Sequence, residues 1–378
     1  MASIAAALLL SSGQRGKQIG PGTSIQPVAN SSDGNKSTQI SNDSNASRTT
    51  IELVSLPSAT TVVQGWVAQY NAQQNKGIVS ASFSRDAESP KNMSELFSSS
   101  SADLAVVGNV PDSKTSGSHV FLVPVSPHAV AVVYNIPGFP DVSSGLKLNA
   151  TTLASVFRGN ITYWDDAAIK APNPDLNLPH ERIVLVHLGK DDSSADLLDR
   201  YLSPGANGSS INWAKSSTVV QSVGDLSTTV EQTPFSIGQI DYAYAVQTKM
   251  TYGALQNSRG NFVLPTLDSI SSAVRNGTRI GNATVLSNVN SGNDSLLAAN
   301  IPRVDIPQIG GNSSYPVVGF YDAAFANRTG MSNATSDAVK DFAKWMAGIQ
   351  GQRVIGDAQY PAIYDTELMK TYLKQKLG

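Results

Sequence analysis

The sequence predicts an α/β protein built on a mostly parallel sheet, and three observations carry that expectation. Apolar runs of strand length alternate with stretches whose apolar residues recur at helical spacing. One run, Ala102 to Gly108 (ADLAVVG), is continuously apolar, as a strand buried on both faces must be. Arg182 to Leu202 (RIVLVHLGKDDSSADLLDRYL) reads as a buried strand, a polar turn over Gly189 to Asp192, and a helix with Ala195, Leu197, Leu198, Tyr201 and Leu202 as its apolar stripe. A strand that turns into a helix N-terminus is where such proteins place ligands, because the first-turn N–H groups are unpaired and point at the site.

Taken in order, Ile4 to Leu10 (IAAALLL) is apolar but too short to span a bilayer, and it reads as a signal-peptide remnant. Ser11 to Thr50 is rich in Ser, Asn, Gly and Gln and almost lacks large apolar residues. Such a stretch cannot offset its ordering entropy by burial, so residues 1–50 are expected to be leader and flexible linker. Ile51 to Leu56 is a short strand, Val62 to Gln73 a helix with Val63, Trp66, Val67 and Tyr70 on one face, and Val79 to Ser84 a second strand. A helix is expected around Met93 to Ser99, then the buried run ending at Gly108, then two strands, Phe121 to Pro124 and Ala129 to Tyr134. Asn149 to Phe157 is an amphipathic helix, and Trp164 to Ile169 opens another helical turn. Ile211 to Val223 has no clear period, and Phe235 to Tyr244 reads as a turn followed by a strand on which Tyr242 and Tyr244 share a face. Asn276 to Gly311 is a polar excursion, Tyr315 to Tyr321 a last strand, and Ala338 to Ile349 and Glu367 to Leu377 terminal helices. Trp66, Trp164, Trp213 and Trp345 are most simply packing anchors.

Composition narrows the function. With 378 residues, 40% of them hydrophobic, the chain is long enough for two domains, and a net charge of -2 offers no basic stripe for nucleic acid. No cysteine is present, which excludes disulfides, thiolate zinc sites and a Cys nucleophile. The four histidines, His119, His128, His180 and His187, are not spaced as metal ligands, and neither a metal nor any other cofactor is implied. Glycosylation acceptors are abundant: Asn30, Asn35, Asn42, Asn45, Asn92, Asn149, Asn160, Asn207, Asn276, Asn282, Asn293, Asn312, Asn327 and Asn333. With 26 Asn and 72 Ser plus Thr in the chain, chance would give about five such motifs. The excess points to an N-glycosylated, secreted or cell-surface protein, and no apolar run reaches the length of a membrane-spanning helix.

Five segments carry a resemblance: VVYNIPG (Val132 to Gly138), Leu148 to His187 with its Trp and Pro-rich loop, IGQIDYAYAVQTKM (Ile237 to Met250), YPVVGFYD (Tyr315 to Asp322) and Ala338 to Ile363. In this order they resemble the periplasmic phosphate-binding protein family that feeds bacterial phosphate transporters. The resemblance implies a two-lobed, type II periplasmic-binding-protein-like α/β fold, with helices on both faces of mixed sheets and ligand between the lobes. It implies lobe 1 from about residues 51–127 plus 314–378 and lobe 2 from 128–313, with a glycosylated insertion at about 276–311.

In that family four loops hold the anion. The first corresponds here to Ser58, Ala59, Thr60 and Thr61, where Ser58 or Thr60 serves equally well as a helix cap. The second, usually a Gly/Ser run, has become charged, Ser84 and Arg85 leading into Asp86 and Glu88. The third ends its strand with an Asp that accepts a hydrogen bond from protonated phosphate; here that position is Gly108. The fourth carries an Arg before a small-residue helix start; here Leu188 stands at the Arg position, followed by Lys190, Asp191, Asp192, Ser193 and Ser194. Losing a guanidinium removes a bidentate charged pair that a lysine replaces only as a point charge. A carboxylate within ~4 Å of an anion opposes it by about 4 kcal/mol at an effective dielectric of 20. Asp192 or Ser193, with Asp196, is also suited to capping the helix.

The expectation is a binding-protein fold with a degenerate phosphate site, used as a structural or interaction module with itself or other surface glycoproteins as partners. The alternative is a solute binder whose cleft still takes phosphate or another small ligand. An enzyme is the weakest reading: adjacent carboxylates do not converge on one bond, and no GxSxG elbow supports a set built from His187 and Ser193.

Overall fold

The computed structural model describes residues 48–73, 77–83, 97, 102–108, 120–138, 145–189, 193–203, 212–279, 303–304, 311–326 and 331–362, all within the unit Ser47–Gly378. The chain opens with β1 (Thr49–Ser55), a 3-10 turn (Pro57–Ala59), α1 (Thr60–Ala72), β2 (Gly77–Phe83), β3 (Leu104–Gly108) and β4 (Val120–Asn135). Next come β5 (Lys147–Leu148), α2 (Ala150–Phe157), α3 (Ala167–Lys170), β6 (Val184–Leu188), α4 (Ser193–Leu202), β7 (Thr218–Val220), α5 (Val223–Gln232), β8 (Ser236–Asp241) and α6 (Tyr242–Gln247). The rest is β9 (Ala254–Gln256), β10 (Phe262–Val263), α7 (Leu267–Gly277), β11 (Thr278–Arg279), β12 (Arg303–Val304), β13 (Val318–Ala326), α8 (Asn333–Ala347) and α9 (Ile349–Asp357).

Eight strands form one sheet in the order β2-β1-β3-β13-β4-β8-β6-β7. At each flank the strands run parallel, β1 with β2 and β3 on one side and β6 with β7 and β8 on the other. The middle is antiparallel: β4 pairs with β13 over residues 120–129 and then with β8 over residues 130–135. One strand therefore runs through both halves of the sheet.

β3 and β8 are buried along their whole length, as strands covered on both faces are, whereas the outer strands β2 and β7 are partly exposed. Two cores result. The first unites β1, β3 and the start of β4 with Trp66 and Tyr70 of α1 and Phe342 and Met346 of α8. The second unites the end of β4 with β6, β8, α2, α4, Trp164 and Tyr315. Tryptophans anchor each one: the Trp66 indole donates to Gly351 O at 3.0 Å and the Trp164 indole to Phe235 O at 3.0 Å. Helix starts follow the sequence, with Asn149, Ser222 and Ser332 each accepting a first-turn backbone N–H.

The expected elements are present with four corrections. Phe121 to Tyr134 is one continuous strand, because Ser126 and Pro127 lie in register opposite β13. The strand expected through Tyr244 stops at Asp241, whose side chain accepts the Ala243 N–H and starts α6, so Tyr242 and Tyr244 do not share a strand face. Helices α5, α7 and α9 come out of stretches that had seemed irregular or had gone unassigned. Within the polar excursion, β11 pairs with β12. The helices expected over Met93 to Ser99 and Glu367 to Leu377 lie outside the described residues, Phe97 apart.

Close approach fixes one glycine. A Cβ on Gly238, in the middle of β8, would sit 2.7 Å from Val186 O on the neighbouring strand. Gly238→Ala is expected to lower stability by about 1–3 kcal/mol, read as a lower urea midpoint with unchanged slope.

Candidate functional site

Strand directions decide where a ligand would sit. The carboxyl end of β3, Gly108, lies opposite Tyr321 of β13, which lies opposite Ser126 of β4. From the other flank, the carboxyl end of β8, Asp241, lies opposite Val130 of β4. Both sets of carboxyl ends thus converge on residues 126–130, between the two cores, where open α/β sheets bind ligands.

A buried polar cluster occupies this point. The Tyr321 hydroxyl donates to Asp241 Oδ2 at 2.9 Å, and the Tyr360 hydroxyl donates to Asp241 Oδ1 at 2.9 Å. The Ala243 N–H donates to the same Oδ1 at 2.9 Å. His128 stacks on Tyr321 with ring centroids 4.0 Å apart, and its Nδ1 lies 3.6 Å from Asp241 Oδ2. Ser58 hydrogen-bonds the Tyr321 hydroxyl. Asp241 is 2% exposed, His128 1% and Tyr321 0%. Burial first, and then the neighbouring Asp241 charge, push both phenols well above their ordinary pKa, so they remain protonated donors.

The predicted ligand residues distribute unevenly around this cluster. Ser58 is buried in the 3-10 turn after β1 and joins the cluster through Tyr321. Thr60 donates its hydroxyl to Pro57 O at 2.7 Å, which closes that turn. Thr61 donates to Gln247 Oε1 of α6 at 3.4 Å. Gly108 ends β3 beside Tyr321, while Leu188 ends β6 as a member of the second core, 2% exposed. Ser193 is the first residue of α4, and Ser194 is buried in the same turn. Ser84, Arg85, Lys190, Asp191 and Asp192 lie outside the described residues. His187 is engaged by Ser217 at 3.0 Å and stacks on Trp213, a packing role in the second core. The residues sequence reasoning missed are Asp241, His128, Tyr321 and Tyr360; the available signal was a lone carboxylate at the end of the fully buried β8.

Of the glycosylation acceptors, five fall on described residues. Asn160, Asn276, Asn312 and Asn333 are exposed. Asn149 caps α2 through Oδ1, accepting the Thr152 N–H at 2.8 Å. Asn276 donates its Nδ2 to Ser272 Oγ and Ser314 Oγ at 3.2 and 3.0 Å.

A sheet crossed by one long strand, two cores, and a site at converging strand ends define the binding-protein class of α/β folds. Residues 97–348 match the family model described as a PBP superfamily domain, and the chain belongs to that superfamily. It is 31% identical over 243 residues to a phosphate-binding protein PstS of Methanocaldococcus jannaschii, covering 60% of this chain and 59% of that one. The chain therefore spans a little over half the length of that relative. Among solved structures it is similar to a phosphate-binding protein from Stenotrophomonas maltophilia, with a TM-score of 0.60 and 12% identity over 87% of this chain and 94% of that one. It is likewise similar to a human phosphate binding apolipoprotein, with a TM-score of 0.61 and 12% identity over 86% and 93%. At such identities the likeness is one of fold.

Two predictions come from this geometry. Tyr321→Phe removes one donor from a buried carboxylate and is expected to cost about 1.5–3 kcal/mol, measured by urea denaturation. On α4, burial and then Asp196 push the Asp199 carboxyl up to about 6, against the opposing pull of Arg158 and Arg200. A carboxyl whose folded pKa lies above its unfolded value of about 4 weakens the fold as pH rises between those values, with the full penalty above about 6. Asp199→Asn is expected to raise stability by about 1 kcal/mol at pH 7, with the gain vanishing below about pH 4, as thermal melts across that range would record.

Proposed function

We propose that this chain is a solute-binding-family module whose phosphate site is degenerate, serving as a structural or interaction glycoprotein outside the cell. The observation that carries the reading is the character of the strand ends. Gly108 supplies no acceptor, Leu188 is packed into the core where a guanidinium would reach the ligand, and the central position holds the buried Asp241 carboxylate. An incoming anion would meet like charge at the place where the cleft is driest, and about 4 kcal/mol of repulsion at 4 Å is enough to cost several hundredfold in affinity. The separate cores support a lobe boundary at residues 127/128, while Tyr315 to Phe320 pack in the second core, so they favour the return to the first lobe after Phe320 over the expected 313/314.

The second reading, a binder that still takes phosphate or another small ligand, is favoured by the names of the relatives and by α4, which starts at the carboxyl end of β6. Isothermal titration of the full chain with inorganic phosphate at neutral pH separates the two. No saturable heat is expected in the micromolar range, and a Kd of micromolar or tighter would establish the second reading instead.

Glycosylation is tested on protein from a eukaryotic secretory host by site-resolved mass spectrometry before and after enzymatic deglycosylation. Glycan is expected at Asn160, Asn312 and Asn333, whose side chains are exposed. Asn276 is expected to be less occupied, because the nitrogen that would carry the sugar is already donated to two hydroxyls.

A further inference from the structure

Among the described residues no Lys or Arg contacts the Asp241 carboxylate; it is held by neutral donors that come from separate parts of the chain. Tyr321 belongs to β13, Tyr360 follows α9, and Ala243 lies just beyond Asp241 itself. His128, from β4, is buried, with neither ring nitrogen hydrogen-bonded among the described residues, and its Nδ1 is 3.6 Å from Oδ2. Both carboxylate oxygens are thus met by donors at 2.9 Å, with an additional ring nitrogen facing Oδ2. This is the arrangement a protein uses to bind a small oxyanion, directed here at a group the chain itself supplies.

We propose that these residues form a small-carboxylate site whose occupant is the Asp241 side chain, so that the protein carries its own bound anion between its two cores. The donors are fixed by elements other than β8: Tyr321 by its sheet pairing with Gly108 and Ser126, and Tyr360 by its N–H, which donates to Ile355 O at 2.8 Å. Removing the carboxylate therefore leaves the two phenols and the imidazole buried and facing one another with an anion-sized space between them. Unpaired buried donors are costly, and an external carboxylate that entered would restore what was lost. The inference does not depend on how the wild-type chain treats phosphate, because its test is made on a variant.

The experiment is chemical rescue. Asp241→Gly deletes the side chain, and acetate reproduces the missing atoms, its methyl group standing where Cβ stood. Thermal melts of the full-length variant are recorded in rising sodium acetate, with sodium chloride at equal ionic strength and the wild-type chain as controls. The variant is expected to melt below the wild type and to regain at least about 3 °C in acetate beyond the chloride control, because a ligand of the native state raises its melting temperature. The wild type, whose site is filled, is expected to show no such excess. Asp241→Ala, which keeps Cβ, is the second variant and is paired with formate. Adding Tyr321→Phe and Tyr360→Phe to either variant is expected to abolish the response. A folded variant whose melting temperature rises no more in carboxylate than in chloride overturns the proposal. Failure of both variants to fold even in acetate or formate also overturns it, since the site would then accept no external anion.

Discussion

The structure depends on one strand being required in two places at once. β4 must pair with β13 along its first half and with β8 along its second, and its 16 residues are long enough to do both without a break. Every positional fact about the site follows from this. Because β3 and β8 lie on opposite sides of β4 and run in opposite directions, their carboxyl ends meet near the middle of β4. Ser126 and Pro127, which look like a break in the sequence, mark this middle point, and the register with β13 shows only a shift at Tyr321 and Asp322. Both faces are buried here, so a slip of one residue would move each side chain into the opposite layer of the core.

At the midpoint the chain does something energetically demanding: it buries a carboxylate that no arginine or lysine among the described residues pairs with. Desolvation alone would cost several kcal/mol, and hydrogen bonds from three neutral donors offset it. Such an arrangement tolerates no missing member, because each donor lost leaves charge uncompensated in a dry site. The same cluster explains why a family resemblance that holds for the scaffold does not extend to the ligand loops. The scaffold depends on apolar runs and register, which Leu188 and Gly108 serve well, whereas anion recognition depends on charged groups that these two positions lack.

Much of the scaffold was legible in the sequence because its signals are local. Periodicity over Val62 to Gln73, the apolar run into Gly108 and the strand-turn-helix from Arg182 each specify an element from a short window. What stayed hidden was set by partners distant in the chain. Val120–Asn135 is continuous only because β13, almost 200 residues later, supplies a mate for its first half. Tyr244 sits on a helix because Asp241 caps it, and a single capping residue inside an apolar run resembles a strand continuing. The cluster itself joins residues 119 apart between Asp241 and Tyr360, a juxtaposition no window of sequence contains. Conversely, the ligand residues named from the resemblance were legible as positions, and only Ser58 and Gly108 of those described lie beside the cluster.

The division of β4 also has a consequence for synthesis. The second core draws on a contiguous stretch of chain, from Ala129 to Phe320, whereas the first combines Ile51 to Val125 with Ala243 and Tyr321 to Tyr360. A chain emerging from the ribosome can therefore complete the second core while the first still lacks the later part of β13 and α8. β3 must wait for β13 on one side, and during that interval its open edge and the uncovered apolar residues of the first core are aggregation-prone. β1 and β3, made before any part of the second core, thus enter a finished core only when the later part of β13 and α8 arrive.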